Sequence, residues 1–233
     1  MTVVTHRVLD GGWLELEADL DLSRPFTSVL DIGLDGRRYE LTAGAAGLGD
    51  EVAAAVGIGG FGEELSYAGG TLLIGRGTVP DPRTGVADQV TVAAWRGHRY
   101  ALVTTLYNAS TADVLAVLGA VEIVEHPDGL AVRPAAAAVT MLGALVLKEV
   151  PGLGLLEITG RTREAVAQLP SWAGLRLPAG ELFRDTLSNG APYFVLAAAD
   201  AMVTVLPLAS TAAESVPQLL GTVRVAVRTG PGW

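Results

Sequence analysis

The residues of this chain whose types could do chemistry are few and scattered. His6, His98 and His126 are far apart, each near a terminus or a turn signal, and none has a metal-ligand partner at helical spacing. They read as surface histidines. Glu15, Glu17 and Asp19 alternate and so share one face of a strand, with Asp21 just beyond. Paired carboxylates could serve acid–base work or hold calcium, but no defined loop or turn glycine completes an ion cage, so they read as a solvated face. Ser110 and Ser210 lack the G-x-S-x-G elbow that presents a hydrolase nucleophile, and read as helix caps. Gly57-Ile58-Gly59-Gly60-Phe61-Gly62 spells G-x-G-x-x-G, which in a dinucleotide fold lets a helix terminus approach pyrophosphate. What precedes it is helical in pattern and Glu63 and Glu64 follow it, so it reads as a loop. No catalytic, cofactor-binding or metal-ligating residue is assigned.

Two sets of residues remain as binding candidates. Trp95, Tyr100 and Trp172 are large in a chain with few aromatics and could ring an apolar pocket for a small molecule, although core packing is the commoner fate of such side chains. The stretch Gly57 to Gly85 is rich in glycine and turn residues and longer than its counterpart later in the chain. Long excursions on compact scaffolds often carry function, which makes Phe61, Tyr67, Leu72 and Leu73 candidates for contact with a protein partner.

The elements that must position these residues are organised by a repeat. Tyr100 to Glu125 returns as Met202 to Val227, with Val103, Thr104 and Leu106 answered by Val203, Thr204 and Leu206. Ala109-Ser110-Thr111-Ala112 is answered by Ala209-Ser210-Thr211-Ala212, and Leu118-Gly119 by Leu220-Gly221. Such self-similarity signals an internal duplication. Each copy reads as a strand, a Ser/Thr helix start, an apolar helix and a closing strand.

Local patterns predict further elements. Trp13 to Asp19 and Gly154 to Thr159 are strands; Phe26 to Ile32 and Arg38 to Thr42 form a hairpin around Asp35-Gly36. Helices are expected at Asp50 to Val56 and Thr162 to Leu169, the second capped by Thr162 and stopped by Pro170. Gln89 to Trp95 pairs with Arg99 to Leu106, and Tyr193 to Ala198 with Ala201 to Leu206. Thr71 to Ile74 reads as a strand, Val79 to Gly85 as a turn, and Pro217 implies a kinked or late-starting last helix. Ala135 to Leu147 fits helix or strand equally. The turn Pro127-Asp128-Gly129 marks the boundary between two lobes, 1–129 and 130–233.

Composition excludes several classes. Cysteine is absent, which removes disulfides, thiolate metal sites and cysteine nucleophiles together. Half the residues are apolar and the formal charge is −9, concentrated in the first half, where residues 1–130 hold 18 acids against 8 bases. That balance repels phosphate backbones and argues against nucleic acid as a partner. The apolar excess points to a protein partner or self-association. Pro134 to Leu147 is too short to cross a bilayer and the opening residues lack signal-peptide features, so a soluble cytoplasmic protein is expected. Abundant alanine, glycine and valine with a single lysine look like a high-GC bacterial coding bias.

The pattern of hairpin, Leu-x-x-Ala-Ser-Thr-Ala, amphipathic helix and final strand is similar to the carboxy-terminal part of PsbP-like sandwich proteins, including the LpqN type, over about thirty residues of each half. That resemblance implies an antiparallel sheet backed by helices and a binding or assembly role more often than an enzyme. It carries over no site residues. The expectation is therefore an α+β protein of two similar lobes, each an antiparallel sheet backed by helices. The expected function is a non-catalytic binding, adaptor or structural-assembly protein; the alternative is a small-molecule-binding or cyclase-like enzyme with an apolar pocket.

Overall fold

The computed structural model describes residues 1–80, 85–208, 211 and 213–228. Ser210, Trp233 and most of the turn expected at Val79 to Gly85 lie outside the described residues. In chain order the elements are β1 (Thr2–Arg7), β2 (Trp13–Ala18), β3 (Phe26–Leu34), β4 (Arg37–Ala45), α1 (Leu48–Ala55), β5 (Glu63–Tyr67), β6 (Gly70–Pro80), β7 (Ala87–Arg96), β8 (Tyr100–Tyr107) and α2 (Thr111–Gly119). There follow β9 (Val121–His126), β10 (Gly129–Pro134), β11 (Thr140–Val150), β12 (Gly154–Gly160), α3 (Arg163–Ala167) and β13 (Leu175–Leu177). The chain ends with β14 (Gly180–Thr186), β15 (Pro192–Ala198), β16 (Ala201–Pro207), α4 (Val216–Leu220) and β17 (Arg224–Arg228).

The expected α+β class, with helices backing the sheets, is overturned: strand accounts for 56% of the described residues and helix for 14%. The longest helix, α2, has nine residues. At 1.5 Å per residue that spans only about 13 Å, too little to back a sheet of long strands. The ambiguous run Ala135 to Leu147 resolves as turn over 135–139 and as the strand β11 from Thr140 on.

The chain forms two compact units. A central unit holds Leu9–Gly11 and Thr27–Gly143, and a terminal unit holds Met1–Val8, Gly12–Phe26 and the chain from Ala144 on. In the central unit the strands run β3-β4-β8-β7-β6-β5, all antiparallel. The β3–β4 turn is the expected one, with Asp35 at φ 50° and Gly36 at φ 74°. Strand β8 is buried at four consecutive positions, Ala101 to Thr104, because both faces are covered. Helix α1 packs on one face, where Ala53 and Ile58 meet Val90, Val92, Ala94 and Val103. The hairpin of β9 and β10 touches β4 and β8, and α2 rests on β9.

In the terminal unit the order β13-β14-β15-β16-β12-β11 repeats the central order step for step. A second layer, β17-β2-β1, supplies Leu14, Leu16 and Ala18 to a core shared with Val146, Ile158, Phe194, Leu196, Val203 and Val205. Burial of such side chains contributes about 1.5–3 kcal/mol each. Glu15 and Glu17 alternate outward from that layer, which is the strand reading of the acidic stretch. Helix α4 starts late, after a 3-10 turn at Ala213–Ser215, with Pro217 in its first turn.

One exchange distinguishes this arrangement from two lobes in tandem. Strand β17 pairs with β2 and β9 pairs with β10. Each unit therefore closes with the strand that leads, along the chain, into the other unit's sheet.

Candidate interaction surface

Close packing holds the described part of the glycine-rich stretch. Gly75 and Gly77 lie under the loop: a β-carbon on either would stand 2.9 Å or 2.8 Å from Ile58. Side chains at those two positions would lift the loop off the sheet. The G-x-G-x-x-G segment follows helix α1 and leads to strand β5, the reverse of the strand-to-helix order that a pyrophosphate site needs. Phe61 is half-buried against the α1 core. Tyr67 is half-buried, and its carbonyl accepts a hydrogen bond from Trp95 Nε1 at 2.9 Å. Leu72 is fully buried and Leu73 nearly so, which removes both from any partner's reach.

What the stretch does expose is β5. Its only partner among the described residues is β6, so its other side is a free sheet edge. The two strands join through Ala68 at φ 47° and Gly69 at φ 75°, a tight turn that closes on the pair Tyr67 and Gly70. Antiparallel pairing alternates, so Glu63, Leu65 and Tyr67 bond to β6 while Glu64 and Ser66 turn their N–H and C=O groups outward. Glu64, Leu65 and Ser66 are all exposed.

A three-membered link ties this edge to α2. The Thr111 hydroxyl donates to Glu63 Oε2 at 2.8 Å and accepts from Arg76 Nη2 at 2.7 Å, while Arg76 Nη1 pairs with Glu63. The bond from Arg76, then that from Thr111, holds the Glu63 carboxyl below its ordinary range. Helix α2 is itself fixed by a capping box: Ser110 Oγ accepts from Asp113 N at 3.3 Å, and the Asp113 carboxylate accepts from Ser110 N at 2.8 Å. The Ser110 bonds also lower the Asp113 carboxyl.

At the far end of α2, a β-carbon on Gly119 would stand 3.8 Å from the Tyr67 hydroxyl. Residues 111 to 119 rise about 12 Å along a helix and residues 63 to 67 about 13 Å along a strand, so α2 and β5 run side by side. Thr111, Leu115 and Gly119 recur every four residues and so share the face of α2 that meets β5, as Leu65 shares a strand face with Glu63 and Tyr67. Leu115 and Leu65 are 37% and 36% exposed, two leucines left open at one sheet edge.

The expected aromatic pocket does not form around Trp95 and Tyr100. Trp95 is 3% exposed and belongs to the central core, and the Tyr100 hydroxyl donates to Pro127 O at 3.0 Å. Trp172 belongs to the terminal unit and is 55% exposed. A shallow cleft of about 270 Å³ does exist in the central unit, lined by His98, Arg99, Glu125, His126 and Pro127. Its carboxylate is already engaged, since Glu125 accepts from the backbone N–H of His98, Arg99 and Tyr100 at 3.0, 2.6 and 3.2 Å. Glu125 holds the β7–β8 turn.

The reading of all three histidines as surface residues fails for His6, which is 5% exposed and stacks on Phe26 at 4.7 Å between ring centroids. Phe26 also meets a residue that sequence reasoning passed over. Lys148 is 1% exposed, places its ammonium 4.3 Å from the Phe26 centroid, and donates to the carbonyls of Leu22 (2.8 Å) and Arg24. Burial pushes its pKa below the ordinary 10.5, with Asp21 acting weakly in the opposite sense. As the only lysine in the chain, lying within an apolar run, it was the one available signal.

No group of three or more histidine, aspartate or glutamate side chains among the described residues is placed to hold a metal ion. None of the described helices is long and apolar enough to cross a membrane. No protein family, curated protein or solved structure matches the chain.

Proposed function

We propose that this chain is a non-catalytic, cytoplasmic binding, adaptor or structural-assembly protein that works through protein–protein contacts on its central unit. The observation that carries this reading is the open edge of β5 with Leu65 and Leu115 beside it, apolar surface left uncovered next to unpaired backbone groups. The candidate chemical groups support it from the other side, because Glu63, Glu125 and Lys148 are each engaged in holding the fold. The small-molecule reading rested on a pocket ringed by Trp95, Tyr100 and Trp172, and Trp95 is packed in the core instead.

The test is site-specific photo-crosslinking in the native host, with the crosslinker at Leu65, at Leu115 and, as a remote control in the same unit, at Tyr39. Recurrent protein adducts at Leu65 and Leu115 but not at Tyr39 are expected. Adducts at none of the three, or at Tyr39 alone, would remove the proposal.

A further inference from the structure

Resting on that reading, we infer that the β5 edge accepts an extended segment of a partner protein as an added strand, and that this segment alternates basic and apolar residues. Strand addition needs three things: outward backbone groups, a pocket for alternate side chains, and nothing else covering the edge. Glu64 and Ser66 supply the first, through the alternation set by the Tyr67–Gly70 turn. Exposed Leu65 and Leu115, with half-buried Tyr67 beyond, offer the apolar surface for the second. The third holds among the described residues, where β5 ends its sheet.

Charge decides the occupant. An incoming residue opposite Leu65 falls on the α2 side, where it meets Leu115 and gains by being apolar. Its neighbours fall on the other face, where one lies opposite Glu64. Glu64 is exposed and has no ion-pair partner among the described residues, whereas Glu63 is neutralised by Arg76. The surrounding unit is acidic, with 14 acids against 7 bases in residues 9–11 and 27–143. Arg38, Arg76 and Arg96 are each paired with a carboxylate, so the excess is not offset locally. A second copy of this chain would bring the same acidic excess against itself, while a basic segment is drawn toward it.

The probe is a short blocked peptide alternating arginine and valine, labelled for fluorescence anisotropy and titrated against the full chain. Binding is expected, with amide exchange slowed at Glu64 and Ser66. Ser66→Pro removes one outward N–H from an edge position and should weaken binding about tenfold or more. Leu115→Asp should do the same, and Glu64→Lys should weaken the arginine peptide while improving one that alternates glutamate and valine. Should Ser66→Pro fail to fold by circular dichroism, the same arginine peptide N-methylated at alternate amides must lose binding to the unaltered chain.

Equal binding to Ser66→Pro, equal binding of the glutamate peptide, or unchanged amide exchange would each overturn strand addition. So would dimerisation of the chain that Ser66→Pro abolishes, since the edge would then serve a second copy. The two failures separate cleanly: crosslinked partners that persist in Ser66→Pro would sink strand addition and leave the adaptor reading standing, whereas no crosslinked partner would sink the adaptor reading.

Discussion

The two units share one strand order but differ in what occupies the same step of it. Between the second and third strands of the central sheet stand α1 and a loop, and between those of the terminal sheet stands α3. Helix α1 has eight residues and buries Gly49 and Ala53; α3 has five and buries none. Close approach explains the first case, because a β-carbon on Gly49 would stand 2.5 Å from that of Ala94. The terminal unit gains its core elsewhere, by sandwiching its long sheet against β17-β2-β1. One topology thus tolerates two ways of covering a sheet. In both units the strand order ends on a short hairpin strand, β5 with five residues in the central unit and β13 with three in the terminal unit.

If the terminal core depends on the sheet-on-sheet layer, Phe194→Ala should cost about 3–5 kcal/mol. Denaturant unfolding with residue-resolved amide exchange should show protection lost in the terminal unit first. Simultaneous loss in both units would mean that they do not act as separate cooperative blocks.

Next in size, Lys148→Met removes the donor to the Leu22 and Arg24 carbonyls and should cost about 1–3 kcal/mol, with faster amide exchange confined to residues 20–26. The pH dependence has a definite sign. The folded lysine has the lower pKa, so the unfolded chain binds more protons between that value and 10.5, and the native protein gains stability as pH rises through this window. Tyr67, Tyr100 and Tyr193, raised chiefly by burial, act oppositely above about pH 10. The difference curve between the native chain and Lys148→Met isolates the lysine, and a flat difference would show that its charge state is not coupled to folding.

Helix caps sharpen the comparison further. Ser110→Ala removes the acceptor for Asp113 N–H, the side-chain half of a capping box on a helix that buries Val114, Val117 and Leu118, and should cost about 1 kcal/mol in thermal unfolding. Thr162 accepts from Ala165 N at 3.1 Å, but its helix buries nothing, so Thr162→Ala should cost about half as much. Equal losses would contradict the difference drawn between the two helices.

The smallest effect is acidic. Glu63 and Asp113 have lowered folded pKa values, so they add stability above their ordinary values of 4.5 and 3.8 that is lost as pH falls through the lowered ones. Glu63→Gln should flatten the acid limb of the central unit's melting curve slightly, and an unchanged limb would show the link to α2 to be energetically silent.

Much of the local structure was legible. Asp35-Gly36 announced its hairpin, Thr162 its cap and Pro217 its delayed helix, because each acts through its own backbone angles or hydrogen bonds. The β7–β8 and β15–β16 hairpins were readable from apolar runs flanked by turn residues. The candidate surface is only partly legible: the glycines mark the stretch, but the apolar character of Leu72 and Leu73 reflects core packing and not contact with a partner. Strand β5, with the sequence EELSY, carries no clear alternation, as suits an edge with little to bury. The burial of His6 had no local signal and that of Lys148 only its place in an apolar run, since both depend on the segment Leu22 to Phe26 crossing over them.

From its residues alone the chain dictates where it turns, where helices are capped, which strand faces are apolar, and that one sequence pattern occurs twice. Tertiary structure decided what covers those faces. Alternation shows that one side of β2 must be buried but cannot say by what, and the answer, the sheet that carries Val146, Ile158, Phe194 and Val203, lies more than a hundred residues away. Strand pairing is set by contacts of that range, whose free energy comes from burying surfaces together and leaves no mark in either stretch read by itself.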